Sequence, residues 1–259
     1  MRYLLLLSLL GLPSVRAATP IALSPGEELD YRVSWGVFPS AGEIKITART
    51  ERNDQQPCTV VVTTTSTRGF LRGLFPFDAQ AESVFSNHTG RMIVHTERSA
   101  AGKKPTDTML AVDYGTGAAD FRDLVHPEKN QVVTLPAGDP IDLITCLVQT
   151  RTWTLKPGDQ RDVLVMFEEE PYELTFHALR YEKVRTPMGE FDALVLEPHM
   201  EKTAPKGIFK RGSNVGVWIS QDDLHLPVKF EVEFKFGVGV STLTRYVPPP
   251  PPANANPGP

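Results

Sequence analysis

The side chains that could take part in chemistry are scattered along the chain and form no recognisable motif. The sequence lacks the GxSxG, HExxH, phosphate-loop and EF-hand patterns. Its histidines are never two or four positions apart, the spacings that place a metal-binding pair on one face of a strand or helix. The six histidines are His88, His95, His126, His177, His199 and His225. The sequence therefore predicts no cofactor and no metal site, and it assigns no catalytic residue.

Two short acidic runs have local structural explanations. Glu168 to Glu170 precede Pro171 and are typical of a solvated hairpin end. Asp222 and Asp223 lie in a predicted turn, where bonding to nearby backbone is favoured over cation binding. An enzyme with this sequence would need a site assembled from distant elements. The candidates for such a site are Asp142, Arg151, His177, Asp222 and Asp223.

One apolar segment is unusual for a connection between strands. Residues 69–77 carry five large apolar side chains shaped by two glycines and a proline. The segment either packs over the core or forms the apolar rim of a pocket, as a mouth of a β-barrel would require. The predicted ligand-binding residues are Phe70, Leu74, Phe75 and Phe77 on this loop, with Ile144 and Leu147 on a nearby helix.

The chain contains two cysteines, Cys58 and Cys146, and neither belongs to a CxxC pair. An even number of cysteines in an oxidising compartment permits one disulfide. A large hydrophobic core does not need such a bridge, so two separate buried thiols are the favoured interpretation. A disulfide between Cys58 and Cys146 remains the alternative.

The N-terminus has the pattern of a secretory signal peptide, with Arg2 followed by an apolar run over residues 4–12. Cleavage is predicted after Ala17, and the apolar run is too short to span a bilayer. We expect an exported protein, periplasmic or extracellular, with no transmembrane segment after cleavage. The net charge of −4 and the absence of a basic cluster argue against nucleic acid as a partner.

Period-two alternation of apolar and polar residues dominates the mature chain. Residues 28–37 and 228–236 show it most clearly, and turn signals separate such runs at short intervals. One dry and one wet face per strand is typical of antiparallel sheets. The fold prediction is a large antiparallel sheet of about 14 strands, curled into a barrel or split into a sandwich. The strands are expected near 27–37, 41–52, 57–67, 78–87, 91–99, 105–114, 118–124, 130–135, 160–168, 171–184, 189–198, 213–220, 226–236 and 239–247.

One segment interrupts this pattern with helical spacing. Ile141, Ile144, Leu147 and Val148 recur on one helical face, preceded by Asp139 as a cap and by a proline suited to the first turn. A covering helix is predicted over 139–151, closing an open end of the sheet, and a functional lid is the alternative. The chain is divided into a signal peptide at 1–17, one β-rich domain at 18–247 and a proline-rich disordered tail at 248–259.

Several segments together resemble domain-of-unknown-function family 3108, a group of exported bacterial proteins. Each segment is a strand or turn pattern, and their order and spacing carry the resemblance. The matching pieces are residues 25–31, 35–36 and 41–43, then 142–151 with 157–159, then 186–193, and finally 217–223, 226–228 and 236–237. The resemblance implies export and β architecture, and it implies no catalytic residue. A looser likeness, of fold alone, is to periplasmic lipoprotein carriers with a half-open β-barrel.

These observations predict a non-enzymatic binding or structural module of the bacterial envelope. Its ligand would be a hydrophobic small molecule held in a β-barrel. Two alternatives stay open: an enzyme with a site built from distant strands, and a scaffold that contacts another envelope protein, for example by strand addition.

Overall fold

The structure is a computed structural model, and it describes residues 21–102, 104–209, 214–234 and 237–251. The predicted signal peptide and the end of the proline-rich tail lie outside these ranges. Within them, no helix is long and apolar enough to cross a bilayer.

The chain is almost entirely β-structure. The first half contains β1 Glu28–Trp35, β2 Phe38–Asn53, β3 Gln56–Thr67, β4 Phe77–Ser86, β5 Met92–Ala101, β6 Lys104–Asp113, β7 Ala118–Asp123 and β8 Gln131–Thr134. The second half contains β9 Ile141–Asp142, β10 Gln160–Phe167, β11 Glu170–Thr186, β12 Gly189–His199, β13 Val215–Ser220, β14 Pro227–Phe234 and β15 Gly237–Val247. The helices are α1 Gly69–Leu74 and α2 Leu143–Gln149, with short 3-10 helices at Pro127–Lys129, Thr150–Thr152 and Gly207–Phe209.

All the strands belong to one sheet made of two meanders. The strand order is β8-β7-β6-β5-β4-β3-β2-β1-β15-β14-β13-β12-β11-β10-β9. Neighbouring strands are antiparallel except β9 and β10, which are parallel. The first and last strands, β1 and β15, join the two meanders at the centre of the sheet.

The sheet is open, which corrects the predicted closure into a barrel or sandwich. In the described part of the chain, β8 and β9 are its two edges and do not pair with each other. There is a single sheet, so the molecule is not a sandwich of two. It curls so that side chains from both meanders enter one core, which includes Phe85, Leu110 and Phe121 from one and Leu174, Phe176 and Leu196 from the other.

The alternation that predicted the strands matches their burial. In β1, Leu29 and Tyr31 are buried, whereas the next residue, Arg32, is exposed. All 14 predicted strands are present, with ends shifted by a few residues. The sequence does not predict several short elements: the two-residue strand β9, the short helix α1 inside the apolar segment 69–77, and the 3-10 helices Pro127–Lys129 and Gly207–Phe209.

The predicted helix begins later than expected. Asp142, and not Asp139, is its N-cap, and its carboxylate accepts a hydrogen bond from the Thr145 amide at 2.9 Å. Residues 141 and 142 first pair with β10, so strand pairing takes precedence over the earlier capping signal. Helix α2 then buries Cys146, Leu147 and Val148 in the core, as a covering helix should.

A buried ion pair fixes the end of this helical segment. Arg151 Nη1 lies 2.5 Å from Glu27 Oε1, and the two side chains are only 11% and 3% exposed. The Arg151 guanidinium also donates to the carbonyls of Ala22 and Leu224. It therefore joins the helical segment to the residues before β1 and to the β13–β14 connection.

We expect Arg151→Met to lower the free energy of unfolding by about 3 kcal/mol, because it leaves the Glu27 carboxylate buried without its cation. Urea unfolding monitored by circular dichroism measures the change. Arg98→Met is the control, since its ion pair with Asp107 involves a guanidinium side chain that is 76% exposed and should cost below about 1 kcal/mol. Adding Glu27→Gln to Arg151→Met should recover part of the loss. Equal losses for Arg151→Met and Arg98→Met would contradict the assignment.

Candidate functional site

A cleft of about 600 Å³ lies beside α2. Three parts of the chain form most of its wall: the β4–β5 turn, the segment before and within β9, and the first half of β10. Its lining residues are Ile21, Phe85, His88, Thr89, Gly90, Arg91, Ala137, Gly138, Asp139, Pro140, Ile141, Gln149, Trp153, Arg161, Asp162, Val163, Leu164, Glu173 and Lys202. This volume is in the usual range for small-molecule sites.

Large apolar side chains supply one part of the lining. Phe85, Ile141, Trp153 and Leu164 are each less than a tenth exposed. The Trp153 ring packs edge-on against Phe176, with ring centroids 5.1 Å apart, so its orientation is held by the core. Phe85, Ile141 and Trp153 belong to the main core and give the cleft a rigid apolar floor.

Ion pairs supply the other part of the lining. Arg91 Nε lies 2.8 Å from Asp139 Oδ1, and the Arg91 guanidinium stacks over the Tyr114 ring. Lys202 Nζ lies 2.9 Å from Asp162 Oδ2, and this hydrogen bond lowers the pKa of the Asp162 carboxyl. The cleft therefore offers charges of both signs around an apolar floor.

A chain of polar groups, two of them buried, connects α2 to β4 and β5. The Ser83 hydroxyl donates to Asp142 Oδ2 at 2.6 Å, and its oxygen lies 2.7 Å from His95 Nδ1. The serine hydroxyl has one hydrogen and donates it in the bond to the carboxylate, so in the bond to His95 the ring nitrogen is the donor and the serine oxygen accepts. The order His–Ser–Asp differs from that of a nucleophilic triad, in which the histidine stands between the other two. The arrangement fixes the helix cap to the opposite meander.

The predicted ligand-binding residues do not line the cleft. Phe70, Leu74 and Phe75 are 67%, 56% and 67% exposed on and after α1, and Phe70 stacks on Phe38. Phe77 begins β4, at the end opposite the β4–β5 turn that lines the cleft. Ile144 and Leu147 of α2 pack against the core. The predicted residues of segment 69–77 and of α2 therefore do not line this cleft together.

The residues predicted for an enzyme site each bond a different part of the molecule and do not meet in one site. Asp142 caps α2, Arg151 pairs with Glu27, and His177 Nε2 lies 2.8 Å from Glu201. Asp222 accepts bonds from Ser220, Leu224 and His225 within its own turn. None of these, nor Asp223, lines the cleft. Across the described ranges, no three His, Cys, Asp or Glu side chains are placed to hold a metal ion.

Sequence reasoning missed the cleft because its wall comes from segments far apart in the chain. Two of these segments carry only local signals: residues 87–90 have the composition of a turn, and Asp139 with Pro140 favours a helix start. Arg161, Asp162 and Lys202 gave no signal, because isolated charges on strands and loops are ordinary surface residues.

Ser83→Ala should lower the free energy of unfolding by about 1.5–3 kcal/mol, because the buried Asp142 carboxylate loses a hydrogen-bond donor. Ser99→Ala is the matched control, since the Ser99 hydroxyl bonds Thr106 at an exposed position on β5. Urea unfolding compares the two variants. A Ser83→Ala variant as stable as Ser99→Ala would contradict the role assigned to this bond.

Both cysteines are free and fully buried, and burial raises the pKa of the Cys146 thiol well above its usual range. Because both sulfur atoms are buried away from the reagent, neither should react with Ellman's reagent in the folded protein. After unfolding in guanidinium chloride without reductant, both should react. Rapid reaction in the native state would contradict burial, and no reaction after unfolding would indicate a disulfide.

Several solved structures align with this chain. A crystal structure of a β-barrel-like protein of family DUF1849 from Brucella abortus aligns with TM-score 0.53 at 7% identity, covering 87% of this chain and 98% of that chain. A DUF1089 family protein from Pseudomonas aeruginosa aligns with TM-score 0.37 at 11% identity, covering 73% and 89%. A Bacteroides fragilis protein with a YmcC-like fold, presumed in its description to be exported, aligns with TM-score 0.34 at 11% identity, covering 89% and 100%.

No curated protein sequence matches the chain. At this level of identity the first structural likeness supports the fold alone. The family comparison covers most of the chain and confirms the resemblance noted in the sequence. Residues 30–244 match DUF3108, described as a protein of unknown function, and the chain therefore belongs to the DUF3108 family.

Proposed function

We propose that this protein is an exported, non-enzymatic binding module whose ligand occupies the cleft beside α2. The observation that carries the proposal is the combination of a rigid apolar floor with charged pairs around it. Binding sites for organic ligands have this composition, with apolar contacts for affinity and a few polar groups for orientation.

The lining favours an amphipathic ligand over a purely hydrophobic one. Phe85, Trp153 and Leu164 would contact apolar groups, while Arg91 and Lys202 with their partners would face polar ones. A molecule without polar groups would have to remove water from these charged side chains without replacing its hydrogen bonds, which is unfavourable. The sequence predicts a hydrophobic ligand, and we propose one that also carries polar or charged groups.

The carboxylates of the cleft are paired with cations, and this favours binding over catalysis. The carboxylates of Asp139 and Asp162 each have a cation at hydrogen-bond distance. Asp162 also accepts a bond from Thr175, and the pKa of its carboxyl is lowered, which is unsuited to a general acid near neutral pH. Export rests on the signal-peptide pattern of residues 1–17.

Fluorescence titration with 1-anilinonaphthalene-8-sulfonate, an amphipathic probe, tests the proposal. We expect saturable binding to the mature chain, weakened about tenfold by Thr89→Trp, which places a bulky side chain in the cleft wall. Val37→Trp is the matched control, since Val37 is 87% exposed in the β1–β2 turn and does not line the cleft. Absence of saturable binding, or equal binding by both variants, would contradict the proposal.

A further inference from the structure

Strand β10 has one edge that is paired over only part of its length. On one side it pairs with β11 throughout, from Gln160 to Phe167. On the other side β9 covers only Val165 and Met166. In the described part of the chain no other strand pairs with residues 160–164.

The hydrogen-bond alternation shows which backbone groups face this open edge. The β10–β11 turn has two residues, Glu168 and Glu169, and Glu168 has a φ of 54°, as the tight hairpin turns require. Such a turn is closed by a hydrogen-bonded pair, here Phe167 and Glu170. The bond from the Ala178 amide to the Asp159 carbonyl continues the same alternation. Odd-numbered residues of β10 therefore bond β11, and the amides and carbonyls of Gln160, Asp162 and Leu164 point away from it.

The open edge lies in the cleft. Four consecutive residues, Arg161 to Leu164, line it, whereas a strand seen from one face would contribute only every second residue. The chain does not extend β9 along this edge because Pro140, directly before β9, has no amide hydrogen to donate. The φ of 142° at Gly138 also turns the backbone away from an extended path.

We propose that the ligand of the cleft is an extended segment of another polypeptide, which adds to the sheet as a strand along residues 160–164 of β10. This inference rests on the proposed function and names the class of ligand. Five residues offer about 16 Å of edge, enough for several main-chain hydrogen bonds. In strand addition these bonds supply affinity, and pockets for alternate side chains supply specificity.

The lining suits a segment of alternating character. Apolar side chains on one face of the added strand would contact Phe85 and Trp153, whose ring lies against the Arg161 guanidinium. Side chains on the other face would meet Leu164 and the pair Lys202–Asp162, because Asp162 and Leu164 lie on the same face of β10, and the pair Arg91–Asp139 lies at the rim. The other sheet edge, β8, is four residues long and does not line this cleft, so it is the poorer site.

The test uses 12-residue peptides selected from a randomised displayed library against the immobilised mature chain. A selected peptide should displace 1-anilinonaphthalene-8-sulfonate from the cleft. In the complex, exchange of the Asp162 and Leu164 amide hydrogens should slow about tenfold or more, because they become bonded. The amides of Arg161 and Val163 already bond β11 and should change less. Methylating the peptide backbone nitrogens one at a time should weaken binding at alternate positions.

Two variants of one residue separate the backbone from the side chain. Asp162→Pro removes the outward amide hydrogen and the carboxylate, whereas Asp162→Ala removes only the carboxylate. We expect Asp162→Pro to bind the selected peptide about tenfold more weakly than Asp162→Ala. If Asp162→Pro does not fold, the pattern of backbone methylation on the unaltered protein decides the question.

The outcomes distinguish this inference from the proposed function. If the fluorescent probe binds the cleft but no peptide competes with it, strand addition is wrong and the binding function stands. If neither binds, both proposals fail. If peptides bind but methylation and amide exchange show no alternation, recognition is through side chains and strand addition is overturned.

Discussion

One buried carboxylate links the two meanders of this open, curled sheet. A closed barrel is held by hydrogen bonds between all its strands, but here the edges β8 and β9 do not pair. Asp142 replaces part of that closure. Its Oδ1 caps α2 through the Thr145 amide, and its Oδ2 accepts from Ser83 on the opposite meander. Since the carboxylate is 6% exposed, losing either donor would leave a buried charge poorly satisfied, and the cap and the curl of the sheet are therefore coupled.

The same coupling positions the cleft. Residues 137–141 form one wall and lead directly into Asp142, so the position of that wall follows from where the carboxylate is held. At the other end of the helical segment, Arg151 is fixed by Glu27 and two carbonyls. Gln149 and Trp153, which also line the cleft, lie on either side of Arg151. A helix held at both ends by charged groups gives the cleft a rigid support, as precise binding requires.

The sequence predicts the strands well and their closure poorly, for a physical reason. Leu29 faces the core and Arg32 faces solvent because of their side-chain types and their positions in the period-two pattern. The alternation of apolar and polar residues therefore predicts where the strands lie. Open and closed sheets have the same alternation, so it cannot distinguish them. The sequence predicts the helix start at Asp139 because the capping signal is local, whereas β9 forms only by pairing with β10, a contact distant in sequence. The cleft is not predictable from the sequence for the same reason. Arg91 and Asp162 are far apart in the chain and line one cleft only in the curled sheet.

An exposed strand edge usually invites aggregation, and proteins shorten it, charge it or cover it. Strand β8 is short, and β9 with the start of α2 covers the last part of β10. The remaining edge of β10 is guarded differently, because it lies within a cleft and carries Arg161 and Asp162. A broad sheet edge from another copy would meet the cleft walls before its backbone reached Asp162. A single extended chain, roughly 5 Å wide in the plane of a sheet, avoids that obstruction. Burying the edge in a cleft therefore protects it from other sheets without closing it to a single strand.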